Sequence, residues 1–169
     1  MYMQDYLNQV AAECMATLDE IGIEYGDVRD FTINRRACSR WGQCQRKPDG
    51  FHININAILC DGKHDDGLRE TLYHELLHTC RGCFNHGKEW KGLANVVKAH
   101  TGYMIMRANT NNDKGVTKEE ILKSYPAKYV FQCEKCGAII TRRRASRFTK
   151  HPEFYRCANC KGEIRRISA

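Results

Sequence analysis

No run of about 18 apolar residues occurs in this chain of 169 residues, so the sequence contains no segment that would cross a bilayer as a helix. Residues 1–6 also lack the basic region and the apolar stretch that begin a secretion signal. These two absences predict a cytoplasmic protein without membrane contact. In that compartment we expect the ten cysteines to be free thiols or metal ligands rather than disulfides.

Most of the chain also lacks an excess of either charge. Residues 1–126 contain 16 Lys and Arg against 17 Asp and Glu, whereas residues 127–169 contain 11 against 3. The formal net charge of +7 therefore resides in the last quarter of the chain. Four thiolates holding Zn²⁺ there would leave this region at about +6. A basic segment of this kind is typical of proteins that bind a polyanion.

Residues 74–78 read His-Glu-Leu-Leu-His within a predicted helix. His74 and His78 are one helical turn apart on the same face, so both imidazoles can bind one zinc ion. Glu75 can take the proton of a water molecule held by that metal as the nucleophile forms. The alternative interpretation is a helix whose two histidines are surface or capping residues.

A catalytic zinc usually has three protein ligands, so a third one is needed. The metzincin spacing would place a glycine at position 81 and a histidine at position 84, where this chain has Arg81 and Phe84, and that class is excluded. His86 is the nearest later candidate, and Gly87 beside it allows the chain to turn back towards the helix. The competing histidines, which we interpret as ordinary polar residues, are His52, His64 and His100.

The spacing of apolar residues predicts helices at about residues 4–21, 65–79 and 88–101. Asp65 and Asp66 are candidates for the N-cap of the second helix. Alternation predicts strands at residues 31–33 and 51–56, paired as an antiparallel hairpin with a turn at residues 47–50. The second strand would direct Phe51, Ile53 and Ile55 towards a core, and His52, Asn54 and Asn56 towards the opposite face.

Several residues around the motif allow two interpretations. Cys80 and Cys83 fit a structural turn with free thiols, or redox control of the nearby site. Tyr73 fits core packing, or a phenol close to the reacting groups. A strand edge beside the metal can pair with an extended substrate backbone, but the sequence does not assign that edge. Three arginines form either a solvated face or a polyanion contact: Arg35, Arg36 and Arg40.

The last part of the chain carries a second metal signal. Two Cys-x-x-Cys pairs, Cys133/Cys136 and Cys157/Cys160, are separated by 20 residues. This spacing predicts a four-cysteine zinc ribbon, whose metal is structural because four thiolates leave no open position. We expect strands at residues 129–131 and 154–156, one before each pair. Residues 117–120 resemble a capping box that opens a short helix before the ribbon.

Between the two pairs lies a basic segment. Arginine donates hydrogen bonds to phosphate in two directions, and a neighbouring aromatic ring can stack on an unpaired base. The candidate nucleic-acid-binding residues are Arg142, Arg143, Arg144, Arg147, Phe148 and Lys150. Such a surface predicts salt-sensitive binding with little sequence preference, to DNA or RNA. The alternative is a solvated loop.

Taken in order, these motifs resemble those of the SprT-like zinc metalloproteases, a family that includes the DNA–protein crosslink protease Spartan. The resemblance spans roughly residues 30–165. It is carried by the runs at 40–44, 74–78 and 85–90, by the hairpin with Asn54 and Asn56, and by the two cysteine pairs. It implies zinc ligands at His74, His78 and His86, a general base at Glu75, and a ribbon zinc on Cys133, Cys136, Cys157 and Cys160. Cys80 and Cys83 are not part of the family's catalytic pattern, and Spartan's long recruitment tails are missing.

The sequence thus predicts an α+β fold, with a zincin-like catalytic domain at residues 1–106, a linker at 107–126 and a basic β zinc ribbon at 127–169. One catalytic and one structural Zn²⁺ are expected. The predicted activity is peptide-bond hydrolysis in a protein substrate, directed by the ribbon to single-stranded or crosslinked DNA. Two alternatives remain: a nucleic-acid-binding protein whose zincin domain is only a scaffold, or a zinc hydrolase acting on nucleotides or small amides.

Overall fold

The computed structural model describes residues 3–37, 40–108 and 112–168, and it divides into two compact units, Met1–Ile121 and Leu122–Ala169. The first unit extends past residue 106, where the sequence placed a domain boundary, because Lys114 and Val116 are buried within it. Residues 109–111 of the predicted linker lie outside the described residues. Among the helices that are described, none has the length and apolarity needed to span a membrane.

The first helix, α1 (Met3–Glu20), forms as its apolar spacing predicted. The stripe at three- and four-residue intervals is buried: Leu7, Val10, Ala11, Cys14 and Leu18. Two polar contacts join this helix to α2 (Asp65–Leu77): the Tyr6 hydroxyl donates to Asp65 at 2.6 Å, and Arg69 pairs with Glu13 at 2.6 Å. Within α2, Arg69 also pairs with Asp65 at 2.7 Å.

A three-stranded sheet packs beside these helices. Its strands are β1 (Val28–Asn34), β2 (Gly42–Lys47) and β3 (Gly50–Asn56), with β3 in the centre. The antiparallel hairpin consists of β2 and β3, whereas β1 runs parallel to β3, so the predicted pairing of residues 31–33 with 51–56 as a hairpin was wrong. The polar strand β2, rather than β1, therefore occupies the hairpin position beside β3.

The central strand β3 directs Ile53 and Ile55 into the core, as predicted, but Asn56 is also buried. Its amide nitrogen donates to the carbonyls of Ala37 and Arg40 at 2.8 and 3.1 Å, and its amide oxygen accepts from the backbone N–H of Ile58. Asn56 therefore fixes the crossover before β2 and caps the 3₁₀ turn Ala57–Cys60 that leads towards α2.

Two helices carry the candidate site. The N-cap of α2 is His64, so Asp65 and Asp66 lie in the first turn rather than at the cap. Their negative charges there interact favourably with the helix dipole. The loop after α2 returns through Gly87 to α3 (Lys88–Thr101), which buries Trp90, Ala94 and Val97. Gly102 ends α3 in the left-handed region at φ +81°.

The second unit is a small antiparallel sheet built from β4 (Tyr129–Cys133), β5 (Ile139–Arg142) and β6 (Ile164–Ser168), with β4 in the centre. The short helix α4 (Lys118–Ser124) precedes it, and the predicted capping box forms between Thr117 and Glu120. The prediction of a strand at residues 154–156 was wrong. Pro152–Phe154 form a 3₁₀ turn there, and the third strand follows the second cysteine pair instead.

Candidate metal centres

Three histidines of the first unit converge on one point. His74 and His78 project from α2, and His86 lies in the loop before α3. The Nε2 atoms of His74 and His78 are 3.2 Å apart, and those of His74 and His86 are 3.0 Å apart. Their ligand atoms all lie within 4.8 Å of one another, so one ion can reach all three.

Backbone carbonyls orient two of these imidazoles. Nδ1 of His74 lies 2.9 Å from the carbonyl oxygen of Met106, and Nδ1 of His78 lies 2.9 Å from that of Cys83. A carbonyl can only accept, so each Nδ1 carries the proton and each Nε2 keeps its lone pair for a metal. This donor set fits a zinc ion, which takes neutral imidazole ligands.

Trp90 forms a buried platform beneath the three rings. The centroid of its ring lies 4.9, 5.8 and 4.7 Å from those of His74, His78 and His86. Burial, together with the neighbouring imidazoles, lowers the pKa of His74 to about 3, and burial also lowers the pKa of His86. Both rings are therefore neutral at pH 7, the state in which imidazole binds metals.

Glu75 lies beside the histidines and is only 6% exposed. Burial raises the pKa of its carboxyl to about 7. Two weaker effects lower this pKa: the Cys44 backbone N–H donates a hydrogen bond to the carboxylate, and Arg40 is positively charged. The carboxyl faces a cleft of about 270 Å³ that is also lined by Trp41, His74 and Arg107. A carboxyl with such a pKa can both accept and return a proton near neutral pH.

The second metal group lies in the second unit. The Sγ atoms of Cys133 and Cys160 are 3.4 Å apart, and those of Cys136 and Cys157 are 3.7 Å apart. Sulfurs placed tetrahedrally around zinc at about 2.3 Å would be about 3.8 Å apart, so the cluster fits such an ion. Backbone N–H groups of Cys136 and Cys160 point at Cys133 and Cys157 and lower their thiol pKa, which favours the thiolate ligands.

The two cysteine knuckles repeat one backbone pattern. The carbonyls of Cys133 and Cys157 accept from the N–H groups of Gly137 and Lys161, both at 2.9 Å. Gly137 and Lys161 each adopt the left-handed conformation, at φ +71° and +59°. The repeated turn presents all four sulfurs to one centre.

Comparisons with known proteins agree with this geometry. The model of the SprT-like family matches residues 11–112, which is more than half of the chain and includes all three histidines. The chain belongs to the SprT-like family. It is also similar to the protein named "Protein SprT-like" of Streptococcus mutans, with 25% identity over 171 residues, covering 98% of this chain and 97% of the relative. The resemblance inferred from the motifs is confirmed.

The other histidines of this SprT-like chain lie away from the triad. His52 contacts Asp30 and Asp49 at 2.8 and 3.2 Å on the sheet, His64 lies 3.3 Å from Glu120, and His100 lies 3.8 Å from Glu20. Within the described residues, the histidine triad and the four-cysteine cluster are the groups that could hold a metal ion. Tyr73 is buried and contacts Cys14 and Thr17 of α1, so it packs in the core.

The turn that contains Cys80 and Cys83 contributes a backbone carbonyl, that of Cys83, to the candidate site. Both side chains are buried, and burial raises the pKa of the Cys80 thiol to about 11 and also raises that of Cys83. Thiols in this state are poor nucleophiles, which disfavours redox control of the site. The turn instead places the Cys83 carbonyl where it orients His78.

The basic segment of the second unit differs from the prediction at its aromatic residue. Phe148 packs against Phe131 and Tyr155, with ring centroids at 4.7 and 5.2 Å, and the Arg142 guanidinium lies 5.1 Å above its ring. It is thus part of the ribbon core. The most exposed aromatic residue in the described part of this unit is Phe154, at 67% exposure, which the sequence did not mark as a candidate. The predicted basic residues Arg142, Arg144, Arg147 and Lys150 are exposed, and the Arg143 guanidinium lies 5.2 Å from the Tyr125 ring centroid.

Gly42 lies in close contact with Glu75, a contact that spacing alone did not reveal. A methyl group at this position would lie 2.5 Å from Oε1 and 2.7 Å from Cγ of Glu75, and 2.8 Å from Cγ2 of Thr71. Only a residue without a side chain lets β2 approach α2 closely enough for the Cys44 N–H to reach Glu75.

We therefore expect Gly42→Ala to displace Glu75 and to lower turnover by about 100-fold, because a shift of about 1 Å in a reacting group has an effect of that size. Metal content should stay unchanged, since the three histidines are not touched. Metal analysis together with steady-state kinetics measures both effects. Gly92→Ala is the matched control, because a methyl group at Gly92 would meet nothing within 4 Å. Equal turnover in the two variants would contradict the role of Gly42.

Proposed function

We propose that this protein is a zinc-dependent peptidase in which His74, His78 and His86 hold the catalytic metal. Membership of the SprT-like family suggests a metalloprotease-like role. The observation that carries the proposal is the buried carboxyl of Glu75 beside three imidazole Nε2 atoms that converge on one point. A structural zinc would have no use for a base at this position.

In this mechanism the bound zinc would lower the pKa of a water molecule and polarise the scissile carbonyl. An oxygen of Glu75 accepts the proton of the attacking water and then delivers it to the nitrogen of the leaving amine. The carbonyls of Met106 and Cys83 keep the imidazoles in the tautomer that binds the metal. Burial raises the pKa of the Glu75 carboxyl, which favours its holding the proton between the two transfers.

The shape of the sheet favours a peptide substrate over a nucleotide or a small amide. β2 is an edge strand of its sheet, and its Cys44 N–H points at Glu75 rather than at β3. Gly42, at the start of β2, lines the cleft beside Glu75. An extended peptide can pair with such an edge through its backbone, which recognises many sequences.

We further propose that the ribbon binds DNA and directs the peptidase to proteins attached to it. The supporting observations are the exposed cations of β5 and α5 (Arg147–Lys150) and the exposed ring of Phe154. Phosphates would contact the cations, and an unpaired base can stack on the aromatic ring, which suits single-stranded DNA.

The test incubates the zinc-loaded protein with a basic DNA-binding protein, with and without single-stranded DNA, and identifies products by mass spectrometry. We expect peptide fragments that depend on zinc and increase with DNA. DNA binding without cleavage under any condition would favour a nucleic-acid-binding protein with a scaffold domain. Release of phosphate or of small amides without cleavage of protein would favour another zinc hydrolase.

The proposed DNA binding by the ribbon can be tested separately. Replacing Arg144, Arg147 and Lys150 together by Gln should weaken binding to single-stranded DNA and reduce the slope of log K against log salt by about 2, since each phosphate contact contributes about 0.7. Fluorescence anisotropy at several salt concentrations measures the slope. The control removes three exposed lysines of α3, Lys88, Lys91 and Lys98. An equal loss in both variants would indicate a net-charge effect and contradict a local binding surface.

A further inference from the structure

The triad depends on a segment that the sequence assigned to a linker. We call residues 103–108 and 112–116 the cleft segment. Its Met106 carbonyl accepts from Nδ1 of His74, and its Lys114 lines the same cleft as Glu75. The position of this segment therefore decides whether His74 presents its Nε2 to the metal.

Glu70 fastens both ends of the cleft segment to α2. Its Oε1 accepts from the backbone N–H of Met104 at 3.1 Å, and its Oε2 accepts from Nζ of Lys114 at 2.9 Å. Glu70 lies four residues before His74 on α2, so the carboxylate and the imidazole share one face of the helix. The Glu70 side chain thus contacts the cleft segment both before and after Met106, whose carbonyl orients His74.

The contact with Lys114 is buried. The side chain of Lys114 is 2% exposed and that of Glu70 is 13% exposed. Burial lowers the pKa of Lys114, while the hydrogen bond that its ammonium donates to Glu70 acts in the opposite direction and favours the charged form. Loss of the Glu70 carboxylate would remove this buried ion pair and also the acceptor of the Met104 N–H, so the cleft segment would lose both contacts with α2 and would move.

The fit at the start of α2 is equally close. A methyl group at Gly67 would lie 2.8 Å from the carbonyl oxygen of Lys114. The backbone of the cleft segment therefore rests directly on the helix, one turn before Glu70. The close packing at Gly67 and the two hydrogen bonds to the Glu70 carboxylate together hold the cleft segment in one position.

We propose that Glu70 is a positioning residue of the metal centre. It holds the cleft segment so that the Met106 carbonyl keeps the proton of His74 on Nδ1 and leaves Nε2 free for the metal. The inference rests on the proposed zinc site, but it does not require that the protein cleaves peptides. Outer-shell partners of metal-binding histidines typically contribute 10- to 100-fold to metal affinity, in agreement with this role.

The experiment fills the four-cysteine site with Zn²⁺ and then titrates the histidine site with Co²⁺, following its visible absorption. We expect Glu70→Ala to bind Co²⁺ about 100-fold more weakly than wild type, and Glu70→Gln about 10-fold more weakly, because the amide oxygen can still accept from Met104. Asp66→Ala is the control, since Asp66 is an exposed carboxylate on the same helix. His86→Ala gives the affinity of an incomplete site.

A second readout separates positioning from general destabilisation. The ¹⁵N shifts of the His74 ring in the metal-free protein report which nitrogen carries the proton, and we expect a mixture of tautomers in Glu70→Ala. A folded Glu70→Ala variant with Co²⁺ affinity within twofold of wild type and an unchanged tautomer overturns the proposal. If Glu70→Ala does not fold, the same criteria apply to Glu70→Gln. Absence of Co²⁺ binding in wild type would instead contradict the proposed metal site itself.

Discussion

Glu75→Gln is expected to keep the metal and to lower turnover by about 10²- to 10⁴-fold, the usual contribution of a general base. The amide has nearly the shape of the carboxylate, and its oxygen can still accept from the Cys44 N–H. It cannot take a proton from water at neutral pH. Metal content and kcat on a protein substrate, measured on the same preparations, test both halves of this expectation.

The control for Glu75→Gln is Glu24→Gln, which removes one negative charge from an exposed position outside the motifs. Turnover close to wild type in Glu75→Gln would contradict the proposed base. Loss of metal in Glu75→Gln would mean that the carboxylate supports the ligands rather than the reaction. Cleavage by wild type, together with a Glu75→Gln variant that keeps normal metal content and DNA binding but has no turnover, would favour an enzyme over a scaffold.

Local spacing was sufficient to predict that His74 would lie beside His78 and that the four cysteines would form one cluster. His74 and His78 lie one turn apart on a helix, and each cysteine pair forms one tight turn, so neither depends on distant parts of the chain. The helices were predicted for the same reason, since their apolar periodicity is a local property. His86 required proximity and family resemblance, and the structure places its ligand atom within 4.8 Å of those of His74 and His78.

The missed features are those that depend on contacts between distant residues. β2 has almost no apolar residue, so its sequence does not reveal a strand, and the parallel pairing of β1 with β3 skips over it. Lys114 lies in a polar stretch that reads as a linker, yet it is buried against Glu70, which lies 44 residues earlier. Composition cannot predict such burial.

In the ribbon, too, the sequence could not predict which aromatic residue is exposed. Phe148 and Phe154 both stand near basic residues, and nothing in the sequence distinguishes the ring that faces Phe131 from the ring that faces solvent. The structure makes the distinction through the helical turn α5, whose capping residue Ser146 directs Phe148 inward.

Removing the ribbon metal should unfold the second unit. Its buried core consists of Phe131, Cys133, Cys157 and Ile164, and two of these four residues are proposed zinc ligands. Ordering some 40 residues costs about 1.5 kcal/mol each, which a core of this size does not offset. A structural zinc contributes about 10–16 kcal/mol in isolated zinc-finger peptides, so most of the stability of the ribbon should come from the metal.

Cys136→Ser tests this most directly, because Cys136 is exposed and its replacement removes a ligand with little loss of packing. We expect one zinc fewer per chain, collapsed amide dispersion for residues 127–168 in ¹H–¹⁵N spectra, and loss of DNA binding. Amide signals of the first unit should persist, because that unit has a core of its own. Glu134→Ser, an exposed change in the same knuckle, should leave zinc content and dispersion intact. A dispersed ribbon spectrum in Cys136→Ser with one zinc missing would show that apolar packing suffices, and the cluster would then be dispensable for the fold.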